Sequence, residues 1–142
     1  MKSGAIVIAI LVVATMFGLV SKSNRGRFRV KKNFHPILSR AEIGADLGSV
    51  ATVLQFSSAF CAPCRATRQI LENLTPQFPG IAHIEIDAES HLELVRRLKV
   101  HQTPTTLFLD ANGQEIGRAV GAPKKSQLVA VLEKLHGAAH VH

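Results

Sequence analysis

Phe60-Cys61-Ala62-Pro63-Cys64-Arg65 holds both cysteines of the chain, separated by two residues. The apolar run Ala51-Thr52-Val53-Leu54-Gln55-Phe56 precedes it and reads as a buried strand. Arg65 to Leu74 follows and reads as a helix, so the Cys-X-X-Cys falls at a strand-to-helix turn, on the helix's first turn. A helix N-terminus carries partial positive charge and unpaired N–H groups, and both favour thiolate over thiol. Cysteines in such motifs have pKa values lowered from about 8.5 to roughly 3.5–7.5. Thiolate is the form that attacks a disulfide. Cys61, nearer the helix start, is expected to attack. Cys64, about one turn further in, is expected to be less exposed and to resolve the mixed disulfide. Pro63 suits an early helical position, where no hydrogen bond is lost. Two plainer readings compete. Structural cysteines have no need of this turn, and a closed zinc site wants four ligands where no second cysteine pair exists. A redox dithiol fits better.

Length and charge narrow the rest. The chain's 142 residues suffice for one domain of about 100 residues and an appendage. Hydrophobic residues make up 46%, enough for a packed core. The net charge of +7 invites a nucleic-acid reading, but its distribution opposes one. Residues 1–40 hold eight Lys/Arg and no acid, whereas residues 41–142 hold nine against ten Asp/Glu. The domain itself is near neutral, and Trp and Tyr are absent. Nucleic acid is therefore not expected as a partner.

Ala5 to Val20 is an uncharged run of 16 residues, and extension to Ser3–Ser21 reaches the short end of a bilayer-spanning length. A cleaved signal peptide would want a small-residue site after it. Val20-Ser21-Lys22-Ser23-Asn24-Arg25 follows instead, so an uncleaved anchor is the preferred reading over a signal peptide or a core helix. Lys22, Arg25, Arg27, Arg29, Lys31 and Lys32 put six cations within 11 residues. The positive-inside rule sets that flank, and the domain with it, in the cytoplasm. The same cluster is expected to meet anionic lipid at residues 22–32. An extracytoplasmic domain is the alternative. The division expected is an anchor at 1–21, a basic juxtamembrane linker at 22–36, a domain at 37–137 and a His-containing tail at 138–142.

Within the domain, residues 40–47 suggest a short helix ending near Gly48. A strand at 51–57, the cysteine turn and a long helix follow, closed by Pro76 and Pro79-Gly80. Residues 81–87 alternate as a strand. Leu92, Val95 and Leu98 have helical spacing, predicting a helix over 89–98. Strands are predicted at 105–110 and 114–120 around an Ala111-Asn112-Gly113 turn. A closing helix is predicted over 126–135, with Leu128, Val131, Leu132 and Leu135 on one face.

This order resembles the thioredoxin fold, α/β with a central mixed sheet flanked by helices, here preceded by one N-terminal transmembrane helix. Two local features carry the resemblance, over roughly residues 40–136. Phe56 to Arg65 is similar to the family's apolar strand and aromatic-Cys-Gly-Pro-Cys-Lys pattern. Thr103-Pro104-Thr105 stands about 40 residues downstream, where the family has a cis proline facing the cysteines. An ordinary strand-starting proline is the plainer alternative. The resemblance implies that the backbone of Thr103 pairs with an extended substrate chain. It further implies substrate contacts at Phe60, Ala62, Pro63, Thr103 and Pro104, and a redox-active Cys61–Cys64 disulfide in place of any bound cofactor. Gly117 and Gly121 also suit the pattern.

The departures are informative. The family usually buries an aspartate six residues before the first cysteine, where it assists proton transfer to the resolving thiol. Gln55 stands there and cannot take a proton. Either a water path serves Cys64 or that step is slower. The family's nearby lysine corresponds by register to His83. A neutral histidine beside a glutamine avoids an unpaired buried charge; an exposed histidine is the competing reading. Phe60 replaces the usual Trp, and Ala62 the usual Gly.

His136, His140 and His142 cluster near the C-terminus, but Gly137 and fraying argue against a metal site. His101 is a weak candidate general base, and Arg96, Arg97 and Lys99 read as a solvated face. The function expected is a membrane-tethered monomer of thiol-disulfide oxidoreductase type, reducing protein disulfides with electrons from a thioredoxin reductase or a membrane donor. The alternative is a client- or metal-binding module with little turnover.

Overall fold

The computed structural model describes residues 2–24, 28–29 and 37–139. Helix α1 is Lys2–Asn24, and its uncharged residues 4–20 are exposed. Strand β1 is Phe28–Arg29 and helix α2 is Arg40–Ile43. Strand β2 (Ala51–Ser57) leads into α3 (Ala62–Leu74) and a 3₁₀ turn at Thr75–Gln77. Then come β3 (Ile81–Asp87), α4 (Leu92–Arg97), β4 (Thr105–Asp110), β5 (Glu115–Val120) and α5 (Lys125–Ala139).

The sheet order is β1-β5-β4-β2-β3, with β2 and β3 parallel and every other pair antiparallel. Period-two alternation divides the core into two layers. Leu54 and Phe56 face one side with Ile86, Leu94, Leu98 and Leu107. Ala51 and Val53 face the other, with Leu71, Leu74, Phe108, Leu128 and Leu132. β2 is buried at all seven positions, as a central strand must be. The fold is the α/β fold expected.

Several boundaries shift for local reasons. α2 stops at Gly44 rather than near Gly48, because Gly44 takes a left-handed conformation (φ 76°) and its N–H closes on Arg40 O. α4 begins at Leu92 rather than residue 89, because the Asp87 carboxylate accepts from the Glu89 N–H and the Ser90 hydroxyl, holding those residues in a turn. α5 runs on through Gly137 to Ala139.

The stretch read as a linker contributes to the sheet. Phe28 pairs with Ala119 and Arg29 with Arg118. Ile37 then bridges Gln114, beside the β4–β5 turn. At that turn Gly113 (φ 81°) lies so close to Leu38 that a Cβ would stand 2.1 Å from its carbonyl oxygen. The tail positions His140 and His142 fall outside the described residues.

Candidate redox site

The site sits where β2 ends and α3 begins. Cys61 is the N-cap of α3, and its Sγ accepts the Cys64 N–H at 3.1 Å. The two sulfurs are bonded at 2.01 Å, with Cα atoms 5.2 Å apart. Sulfur thus takes the role that Ser or Asp oxygen fills at most helix starts. Pro63 lies in the first turn, where its missing N–H costs nothing. Exposure separates the pair: Cys61 is partly exposed and Cys64 is 2% exposed. Around them Phe60 is 98% exposed, and Ala62 and Pro63 are exposed.

The loop before β4 closes on this turn. The Thr103–Pro104 peptide bond is cis. Ser58 Oγ and Thr103 Oγ1 share a hydrogen bond of 3.0 Å, tying that loop to the cysteine loop. The Pro104 carbonyl accepts the Gly121 N–H at 2.8 Å. Pro104 is buried, Thr103 is half-buried and His101 is exposed.

Beneath the cysteines lies a neutral polar cluster. Gln55 is fully buried. Its Nε2 donates to Cys64 O at 2.9 Å and to Ser57 Oγ at 3.0 Å. Its Oε1 is 3.3 Å from His83 Nε2. Since the amide nitrogen serves two acceptors, the oxygen faces the imidazole, which assigns the proton to His83 Nε2. Burial pushes the His83 pKa below its ordinary value. Glu85 and Glu72 oppose that shift, and Arg68 adds to it. His83 is half-buried, so the sequence's two alternatives meet midway: it is paired with Gln55 and still reaches the surface.

A cleft of about 400 Å³ opens beside the disulfide, lined by both cysteines, Arg65, Arg68, Glu85 and Asp87 among others. Arg68 bonds Glu85 at 3.1 Å across its rim. Ser57, Glu85 and Asp87 were not singled out from sequence. Alternation along β3 could have found the last two, since they share the face of His83 opposite Gln55 and Ser57. His136 is elsewhere, edge-on to Phe78 with ring centroids 6.0 Å apart. Among the described residues no cluster of three metal-ligating side chains occurs.

A sheet with one sulfur capping a helix, a second buried behind it and a cis proline loop against both defines a dithiol–disulfide exchange scaffold. The thioredoxin family model matches residues 30–134, so the chain belongs to the thioredoxin family. Thioredoxin H5 of Oryza sativa subsp. japonica is 36% identical over 69 residues, 49% of this chain and 50% of that protein. The chain thus spans about half the length of that rice relative. Thioredoxin of Chlamydia trachomatis is 26% identical over 98 residues, 69% of this chain and 95% of that protein. In fold, the chain is similar to Malassezia sympodialis thioredoxin (TM-score 0.57, 21% identity, covering 78% of this chain and 94% of that one). It is also similar to mitochondrial thioredoxin 3 of Saccharomyces cerevisiae (TM-score 0.54, 22% identity, 61% and 79% covered).

Proposed function

We propose that this chain is a thiol-disulfide oxidoreductase tethered to a membrane by α1, reducing protein disulfides. The observation that carries the reading is the asymmetry of the pair: Cys61 accessible at the helix cap, Cys64 buried behind it. In the reduced state the Cys61 thiolate attacks one client sulfur, and the other leaves as a thiolate and takes a proton. Cys64 then gives up its proton and attacks Cys61 Sγ, releasing the second client sulfur. Two electrons pass to the client, Cys64 supplies one of the two protons the client thiols take up and solvent the other, and the Cys61–Cys64 disulfide is left. Return to the dithiol needs an external donor, a thioredoxin reductase or a membrane reductant.

Phe60, Ala62 and Pro63 offer the client an apolar rim, and Thr103 with Pro104 offers the facing backbone. Gln55 fixes the Cys64 carbonyl but has no proton to lose, so water in the cleft lined by Glu85 and Asp87 serves the Cys64 thiol. His83 holds Gln55 from behind.

The anchor reading is supported by an 18-residue window, Gly4–Ser21, of mean hydropathy 2.5 with none of it buried in the protein. The six cations that follow favour a cytoplasmic domain and attraction to anionic lipid. Reaction of reduced Cys61 with a membrane-impermeant maleimide in intact cells would overturn that orientation. The activity is tested with Cys64→Ser. Client proteins should accumulate on Cys61 as mixed disulfides that reductant releases. If none accumulates and client binding survives loss of both cysteines, the protein is a binding module instead.

A further inference from the structure

The register of β1 fixes which end of the domain is nearest the tether. β1 runs antiparallel to β5, with Phe28 opposite Ala119 and Arg29 opposite Arg118. Ala119 lies opposite Thr106, Thr106 opposite Gln55, and Gln55 opposite Glu85. Phe28 therefore shares a row with Gln55, near the end of the sheet from which the Cys61 turn rises. The chain enters β1 from that end and runs away from it. Ile37, at the opposite end, bridges Gln114. Three residues, 25–27, separate the end of α1 from β1.

Lengths make this decisive. α1 continues three residues past Ser21, or about 4.5 Å. Four peptide units from Asn24 to Phe28 reach at most about 14 Å. Phe28 is thereby confined to within about 20 Å of the hydrocarbon edge, of which the headgroups occupy roughly 5–8 Å. A folded domain of this size is about 30 Å across. Three strand spacings, about 14 Å, separate β1 from β2 within the sheet.

Resting on the anchoring reading above, we propose that the Cys61 end of the domain faces the bilayer, and that the redox partner is a membrane protein whose disulfide lies close to the lipid surface. The tether is too short for the domain to turn that end away while β1 stays paired. Phe60, Ala62, Pro63 and Arg65 form an exposed tip with no carboxylate of its own, and Glu85, Asp87 and Glu89 stand at the neighbouring end of β3. An apolar tip flanked by Arg65 suits the approach to a membrane surface. A large soluble client would have to enter the gap between the domain and the lipid.

The chain contains no Trp or Tyr, so single tryptophans report position. Phe60→Trp marks the proposed membrane end, and Asn112→Trp, in the exposed β4–β5 turn, marks the far end. Each full-length variant is reconstituted in phosphatidylcholine/phosphatidylglycerol vesicles containing headgroup spin-labelled lipid. Quenching should be several-fold stronger for Phe60→Trp, and a Gly/Ser insertion of about 20 residues after Asn24 should remove the difference. Equal quenching, or stronger quenching of Asn112→Trp, in chains that still float with the vesicles after alkaline washing overturns the orientation while leaving the anchor intact. Failure to float overturns both. For the partner, two transmembrane peptides are compared in the same vesicles, one with a disulfide loop next to its span and one with that loop on a long spacer. Faster reduction of the near loop, lost on insertion, is expected; equal rates overturn the partner assignment.

Discussion

Gln55 in β2 and Glu115 in β5 both have no exposed surface, and the sheet satisfies them in opposite ways. Glu115 is clasped by Arg118, whose Nε and Nη2 reach the two carboxylate oxygens at 2.5 and 2.6 Å. Arg118 Nη1 also donates to Leu98 O at 2.9 Å, joining the end of α4 to β5. Gln55 is neutral and is held by neutral groups: a hydroxyl, a carbonyl and an imidazole. Away from the sulfurs the fold buries a charge and matches it. Beneath them it buries none, and the electrostatics of Cys61 are left to the start of α3. A buried carboxylate under Cys64 would disfavour its thiolate; the amide holds the same place without that opposition.

The largest test of this contrast is Arg118→Met. It leaves the Glu115 carboxylate buried without its guanidinium and should cost about 3–5 kcal/mol. Replacing both residues, with Glu115→Leu alongside, should recover much of that loss. Urea unfolding of the detergent-solubilised chain, followed by circular dichroism, reads both. If the single variant costs no more than the double, the pair is not the charge clamp described.

Gln55→Leu should cost less, about 1–3 kcal/mol, because the groups it deprives are neutral. A loss as large as that of Arg118→Met in the same unfolding measurement would erase the distinction between the two sites.

The smallest effect is in pH. His83 has its folded pKa depressed, chiefly by burial, so the unfolded chain binds its proton more readily. Its contribution to stability is full above the unfolded value near 6.5 and is lost as pH falls from there through the lower folded value. His83→Gln should flatten that part of the stability profile. A slope unchanged by the substitution would assign it to another group.

Much of this was legible in the sequence because two signals agreed. The apolar runs at 51–57 and 105–110 and the alternating run at 81–87 match β2, β4 and β3 residue for residue, and β2 and β4 lie inside the sheet, where both faces are buried. The thioredoxin resemblance set His83 near Gln55 with an exposed histidine as the competing reading, and the parallel register places His83 two residues along β3 from Glu85, the partner of Gln55, on the same face. β1 was illegible: two residues carry no period, and they lie among cations that read as solvated linker. The Glu115–Arg118 clasp was equally hidden, because charged residues are presumed exposed until a partner is seen. The cleft beside Cys64 is shared by two stretches, 57–68 and 85–87, and no local pattern announces such a meeting.

Strand β1 has one more effect, on the border of the sheet. Without it β5 would be the outermost strand, with its N–H and C=O groups open to another chain, and bare borders of that kind recruit neighbouring copies into aggregates. Phe28 and Arg29 occupy that border at Ala119 and Arg118. The same two residues that connect the domain to its tether therefore also shield it from self-association, so cutting the tether away beyond Arg29 would remove both at once.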